Sequence, residues 1–373
     1  MDAPDFAALA QPGIRGLRAY DPGLDLVALR RAPAKHPLIE LGSNENSFGP
    51  SPAARAAVLD SLHALHRYPD PSGGDLKRAL ARHHRVDPDR ILLGNGSHEL
   101  LMMLAQVFAG AGQEVLCSEF GFAIYRLAAQ AAGAIPVVVP ALAVDHAMPR
   151  GHDLSAIGGR VSPATRMVYL ANPNNPTGTW FPTAALVALM QRLPSDALVV
   201  LDEAYLEYVT DPALVSAVSL LDRFPNLVVT RTFSKAYGLA GLRIGYLIAH
   251  PGLVAVMERV RESFNVNLPA LAAAEAALAD EAHLAWVCGQ NAAERQSLAD
   301  ALRARDLAVA PSQTNFLLAD FGVDASVVQS GLLARGVVPR PMAGYGLPQC
   351  LRLTVGTRDE NRRLLQALDE AIA

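Results

Sequence analysis

Between residues 90 and 250, short apolar, β-favouring runs alternate with stretches of helical character, and no other feature of the chain limits its possible folds as strongly. The runs fall at residues 91–93, 114–117, 135–139, 167–170, 198–201, 227–230 and 243–248. The alternation predicts an α/β fold with a mostly parallel seven-stranded sheet between layers of helices. Ligands of such sheets collect at the carboxyl ends of the strands, so the residues just after each run are the ones to search for chemistry.

After residue 265 the pattern changes. An Ala-rich helical stretch runs towards Ala304, and short strands follow at 315–319 and 351–355 with a helix at 324–335 between them. The last helix opens on Thr357-Arg358-Asp359-Glu360, where the hydroxyl and the Glu carboxylate can satisfy backbone donors that a helix start leaves unpaired. The first forty residues are rich in Pro, Gly and Arg without strong periodicity. The expected division is an N-terminal arm with part of the small domain at 1–40, a large domain at 41–265, and a smaller α+β domain at 266–373.

Composition narrows the partners. With 51% of its 373 residues hydrophobic and a net charge of -4, the chain can bury a large core and offers no broad basic field to nucleic acid or anionic membranes. The most apolar stretch, 128–144, is interrupted by Gln130, Pro136 and Pro140 and does not read as a membrane-spanning helix. Asp2 and Asp5 stand where a signal peptide would carry Lys or Arg. Cys117, Cys288 and Cys350 are odd in number and widely separated, which suits a reducing cytoplasm better than a disulfide framework. His63 and His66 lie one helical turn apart without the pattern of a metal site, and no metal is expected. The expected partner is a small soluble molecule.

Four of the strand-end loops carry chemistry. Gly94-Asn95-Gly96-Ser97-His98 leads into a long apolar helix; its small residues and free N–H groups suit a phosphate, and equally a simple turn with a helix cap. Asn172-Pro173-Asn174-Asn175-Pro176-Thr177-Gly178 reads as a tight strand-to-helix turn, or as a means of presenting the Asn175 amide to a ligand oxygen. Leu201-Asp202-Glu203-Ala204-Tyr205 puts a carboxylate at a buried strand end, which is costly without a cationic partner, although Asp202 could also cap a helix. The fourth loop, from Arg231 through Ser234, Lys235 and Gly238 to Arg243, places a lysine beside groups able to bind phosphate; taken alone it reads more readily as an ordinary solvated lysine than as an imine-forming amine.

Taken in order, the four loops resemble the pyridoxal-5'-phosphate (PLP) aminotransferases of fold type I. That family carries, at successive strand ends, a Gly/Ser phosphate cradle, an Asn in an N-P-T-G turn, an Asp-x-x-Tyr pair, and a lysine followed eight residues later by a phosphate-binding Arg. The resemblance implies that Lys235 holds PLP as a Schiff base and moves the proton. It implies that Asp202 pairs with the pyridine nitrogen, and that Asn175 and Tyr205 bind the ring oxygen. Gly96, Ser97, His98, Ser234 and Arg243 would hold the phosphate, and Phe122 would stack on the ring.

Within the family the wording is similar to the histidinol-phosphate aminotransferases over nearly the whole chain. Asn44-Glu45-Asn46, Phe48-Gly49-Pro50, Arg67-Tyr68-Pro69-Asp70, Thr314-Asn315-Phe316 and the segment from Leu351 to Thr357 carry that likeness. Ser47 and His98 depart from it, the first where Pro is usual and the second where an acidic residue or Asn is. By this resemblance Arg352 binds the anionic end of substrates, Arg340 assists with phosphate, and Tyr20 and Tyr68 lie on the substrate side. Tyr68 would reach the cofactor of a neighbouring subunit in a homodimer with shared active sites. The implied reaction is transamination between L-histidinol phosphate and 2-oxoglutarate, giving imidazole acetol phosphate and glutamate. An aminotransferase of aromatic amino acids or a PLP-dependent decarboxylase of an amino-acid phosphate could share the cofactor residues. A ligand-sensing regulator of the same fold would need a DNA-reading domain, which the sequence does not supply.

Overall fold

The computed structural model describes residues 4–19, 29, 31 and 36–372. Its strands, numbered in chain order, are β1 (Ile39–Glu40), β2 (Ile91–Gly94), β3 (Glu114–Ser118), β4 (Ile135–Val139), β5 (Thr165–Ala171), β6 (Leu198–Asp202), β7 (Leu227–Thr232), β8 (Gly245–Ile248), β9 (Ala308–Val309), β10 (Phe316–Asp320), β11 (Val337–Val338), β12 (Arg340–Pro341) and β13 (Cys350–Thr354). All seven expected strands of the large sheet are present. They lie in the order β2-β8-β7-β6-β5-β3-β4, and β8 alone runs antiparallel to its neighbours β2 and β7.

Successive residues of a strand face opposite sides of a sheet, so each central strand feeds two cores. Val168, Leu170, Val199, Leu201, Leu227 and Val229 face one core, which is closed by helices including Gly74–His84, Thr183–Met190 and Leu268–Ala279. Met167, Tyr169, Val200 and Val228 face the other, under Gly96–Phe108, Ala123–Ala131 and Pro251–Met257. This two-sided burial explains why the runs read as continuously apolar.

A smaller antiparallel sheet, ordered β12-β13-β10-β9, is backed by the helices Glu281–Arg303, Ser326–Ala334 and Arg358–Ile372 around Leu298, Leu317, Leu332, Leu353 and Leu364. The expected helix start at Thr357 is realised, with the Thr357 N–H donating to Glu360 Oε2 at 2.7 Å. The sequence carries no sign of the parallel pair β1 and β11, in which Ile39 faces Val337, because two residues are too few to show a period. Leu268–Ala279 lies beyond the change in composition, yet its Ala270, Ala273, Ala274 and Ala277 pack into the large-sheet core.

Because β8 is antiparallel, its first residue lies at the same edge as the last residues of its neighbours: Gly245 stands opposite both Gly94 and Thr232. That register brings the loops after β2 and β7 together, where they meet the ends of β5 and β6. The candidate site forms at this edge.

Candidate active site

One cavity of about 370 Å³ opens at the carboxyl edge, between the large sheet and β12 and β13. Gly96, Ser97 and His98 line it from the first loop, with Phe122 beyond β3, Asn175 beyond β5, Asp202 and Tyr205 at the end of β6, and Ser234, Lys235 and Arg243 beyond β7. Arg340 and Arg352 complete it from the smaller sheet. Of the other two expected residues, Tyr68 lies away from the cavity, 81% exposed, with its ring stacked on Phe264 at 4.6 Å. Tyr20 lies outside the described residues.

The helix Gly96–Phe108 begins against the cavity without a side-chain cap at Asn95, so the N–H groups of its first turn face the opening. Two glycines keep that approach clear. A Cβ on Gly96, whose φ is +75°, would lie 2.8 Å from Arg243 Nη2, and one on Gly245 would lie 2.5 Å from the Ser97 backbone nitrogen. Arg243 itself has φ 57°, a left-handed conformation unusual outside glycine, and its Nη1 donates to the Ala240 carbonyl at 2.9 Å. Burial, and then the Arg243 charge, hold the His98 imidazole below its ordinary pKa. A serine, a helix start and a guanidinium around a glycine-lined gap form a donor set that fits a phosphate.

Lys235 Nζ donates to the carbonyl of Asn44 at 3.1 Å, with that of Ser43 at 3.4 Å, and lies 5.7 Å from the centre of the Tyr205 ring. Burial, helped by the charges of Arg352 and Arg243 and opposed by Glu45 and Asp202, brings its pKa down to about 8. Such an amine keeps a small neutral fraction at pH 7, far larger than that of an ordinary lysine, and can act as nucleophile and proton carrier.

Asp202 is 5% exposed and accepts hydrogen bonds from Thr230 Oγ1 at Oδ1 and from Tyr125 Oη at Oδ2, each at 3.1 Å. Burial is the main cause that pushes its pKa up to about 6. A desolvated carboxylate facing a cavity calls for a cationic ligand atom, and a protonated pyridine nitrogen supplies one.

Arg352 Nη1 donates to Asn175 Oδ1 at 2.7 Å, and Nη2 donates to the Gly42 carbonyl at 2.6 Å. With its oxygen committed to Arg352, Asn175 has its amide nitrogen left to donate. Asn44 Nδ2 donates to the Tyr205 hydroxyl at 2.9 Å, and Asn315 Nδ2 donates to the carbonyls of Asn44 and Glu45, each at 3.1 Å. The motifs at 44–46 and 314–316 thereby acquire a joint task, because the second fixes the loop that orients Tyr205. Arg340 and Arg352 are directly opposed partners on β12 and β13, so the pleat sends both side chains to one face.

Sequence reasoning missed Tyr125, Thr230 and Asn44 as site residues. Asn44 stands out in the sequence only as part of a motif, and nothing near Tyr125 in the sequence points to Asp202, 77 residues away.

Known proteins resemble this chain over nearly its whole length. The family model described as aminotransferase class I and II matches residues 36–368. Histidinol-phosphate aminotransferase 2 of Pseudomonas fluorescens (strain Pf0-1) is 46% identical over 371 residues, covering 99% of each chain. Histidinol-phosphate aminotransferase 1 of Thiobacillus denitrificans is 44% identical, covering 98% of this chain and 94% of its own. The crystal structure of histidinol-phosphate aminotransferase from Sinorhizobium meliloti in complex with pyridoxal-5'-phosphate superposes with a TM-score of 0.87 at 36% identity, covering 97% of both chains.

Proposed function

The chain belongs to the class I and II aminotransferases, and from that premise we propose that it exchanges an amino group between L-histidinol phosphate and 2-oxoglutarate with PLP as cofactor, giving imidazole acetol phosphate and glutamate. The observation that carries the substrate assignment is the directly opposed pair Arg340 and Arg352 on the wall of the cavity that also holds Lys235. Two guanidinium groups on one face of the cavity wall can hold an anionic substrate group between them. One such site can receive a phosphate in one half-reaction and the carboxylates of 2-oxoglutarate in the other.

When bound, PLP supplies an electron-withdrawing ring that stabilises the charge left on the substrate carbon as it loses a proton. The protein's residues supply the rest. Ser97, Ser234, Arg243 and the start of Gly96–Phe108 would hold the phosphate, and Phe122 would stack on the ring. Asp202 would keep the proton on the ring nitrogen, while Asn175 Nδ2 and the Tyr205 hydroxyl would hold the ring oxygen. Lys235 Nζ would hold the cofactor between turnovers and, as a free amine, would take up the proton that leaves the substrate carbon. Arg352 and Arg340 orient the substrate by its anionic end.

We place Tyr68 in the site of a second copy. It lies in an exposed apolar stretch with Leu59, Leu62 and Leu65, next to Phe264, a surface suited to a homodimer with shared sites. Among the described residues no helix is long and apolar enough to cross a membrane. The free thiols Cys117, Cys288 and Cys350 support a reducing, cytoplasmic setting.

The test is a half-reaction watched by the cofactor's absorbance. Histidinol phosphate should convert the PLP form to the amino form and 2-oxoglutarate should restore it. Faster conversion by phenylalanine would favour an aromatic aminotransferase, and carbon dioxide released from threonine phosphate would favour a decarboxylase.

A further inference from the structure

Asp202 lines the cavity at the end of β6, and two hydroxyls of different origin hold it. Thr230 comes with the strand pairing, since it lies directly opposite Asp202 in the register of β6 and β7. Tyr125 comes from the helix Ala123–Ala131, one turn beyond Phe122, and the two rings meet edge to face with centroids 5.8 Å apart.

Tyr125 is fully buried. Its ring lies parallel to Tyr169, 4.9 Å between centroids and 1° between planes, and the Tyr169 hydroxyl donates to the Leu101 carbonyl at 2.6 Å. Leu101 belongs to Gly96–Phe108, whose first turn faces the phosphate gap. A tyrosine needed only to fill this core would pay for burying a hydroxyl that phenylalanine lacks. Here that hydroxyl ends on Asp202 Oδ2.

Resting on the cofactor assignment above, we propose that Tyr125, braced by Tyr169, is a positioning residue that holds Asp202 as a carboxylate aimed into the cavity, so that the ring nitrogen of the bound cofactor keeps its proton. Without the Tyr125 bond, Asp202 competes for that proton and the electron-withdrawing power of the ring falls. The electrostatics agree, because after burial the Tyr125 bond has the largest influence on the Asp202 carboxyl and favours its ionised form. The arrangement also ties Asp202 to the helix that faces the phosphate, so both ends of the cofactor are referenced to one piece of backbone.

Tyr125→Phe removes the hydroxyl and keeps the ring and its stacking. Wild type and variant are loaded with PLP labelled with nitrogen-15 in the ring, and the ring-nitrogen resonance is recorded at neutral pH. The wild type should show a protonated nitrogen, and Tyr125→Phe a signal moved towards the neutral position. The kcat should fall about tenfold, the loss expected of one hydrogen bond to a charged group, with KM for both substrates within about twofold. Tyr169→Phe, which leaves the Tyr125 hydroxyl in place, should shift the resonance in the same direction by less. A Tyr125→Phe protein with the wild-type resonance and kcat overturns the proposal. Wild-type protein that takes up no labelled cofactor overturns the cofactor reading and this inference with it, a result distinct from an unchanged variant.

Discussion

At the scale of single residues, the site places charged groups where burial works against them, and the strain can be read in titration. Asp202 is held near pKa 6, well above its ordinary 3.8. Between these values the unfolded chain has lost the proton that the folded protein keeps, so stability falls as pH rises from about 4 to about 6. Asp202→Asn has no such proton. Cofactor-free Asp202→Asn should therefore gain about 2–3 kcal/mol on wild type across that interval and hold the gain at pH 7, measured by urea unfolding. The same variant loaded with PLP should lose most of its turnover. Arg352 donates to Asn175 and, on our proposal, binds the substrate, so Arg352→Ala should lower kcat/KM for every substrate by roughly ten- to a hundredfold. Arg340→Ala should penalise histidinol phosphate far more than phenylalanine, and equal losses for both would remove Arg340 from phosphate recognition. Lys235, Asp202 and Asn175 were legible in the sequence because each stands just past a recognisable strand. Tyr125 and Asn44 were not, because their tasks are set by partners 77 and 161 residues away.

At the scale of elements, the edge of the large sheet is kept in shape by buried polar contacts behind the cavity. His152 is 6% exposed, and its Nε2 accepts the N–H of Ala171, the last residue of β5 before the Asn175 turn. Burial holds its pKa near 4, below the ordinary 6.5. The unfolded chain binds a proton below 6.5 that the folded protein refuses until about pH 4, so the neutral state's stability is lost as pH falls through this window. Between pH 7 and pH 4.5 the wild type should lose about 2–3 kcal/mol more than His152→Asn, and parallel losses in urea unfolding would clear His152 of the effect. The long strands were readable because β-branched, two-sided burial leaves an unbroken apolar run. The pairs of β1 with β11 and of β12 with β13 depend on register between distant segments, which no local pattern encodes. Leu268–Ala279 shows the opposite limit: its Ala-rich composition resembles that of the long helix Glu281–Arg303, whereas packing joins it to the large-sheet core.

At the scale of the whole molecule, the large sheet and the strands β12 and β13 share one cavity, and the exposed apolar stretch around Leu59, Leu65 and Tyr68 is the surface we propose for a second copy. If Tyr68 completes the neighbour's site, mixing inactive Tyr68→Ala with inactive Lys235→Ala should restore one working site per mixed dimer. No recovery after proven subunit exchange would reject shared sites. The layered, mostly parallel sheet was legible because it follows from alternation, whereas the strand order and the antiparallel β8 depend on pairings between distant segments. The central claim is that Lys235 carries the cofactor, and the chain makes it unusually easy to test because its only lysines are Lys35, Lys77 and Lys235. Lys77 is engaged by Glu258 at 3.0 Å. Borohydride reduction of the PLP-loaded protein, followed by digestion and mass spectrometry, should place the reduced cofactor on the peptide containing Lys235 and leave Lys235→Ala unlabelled; label on Lys35 or Lys77, or undiminished label in the variant, would contradict the account.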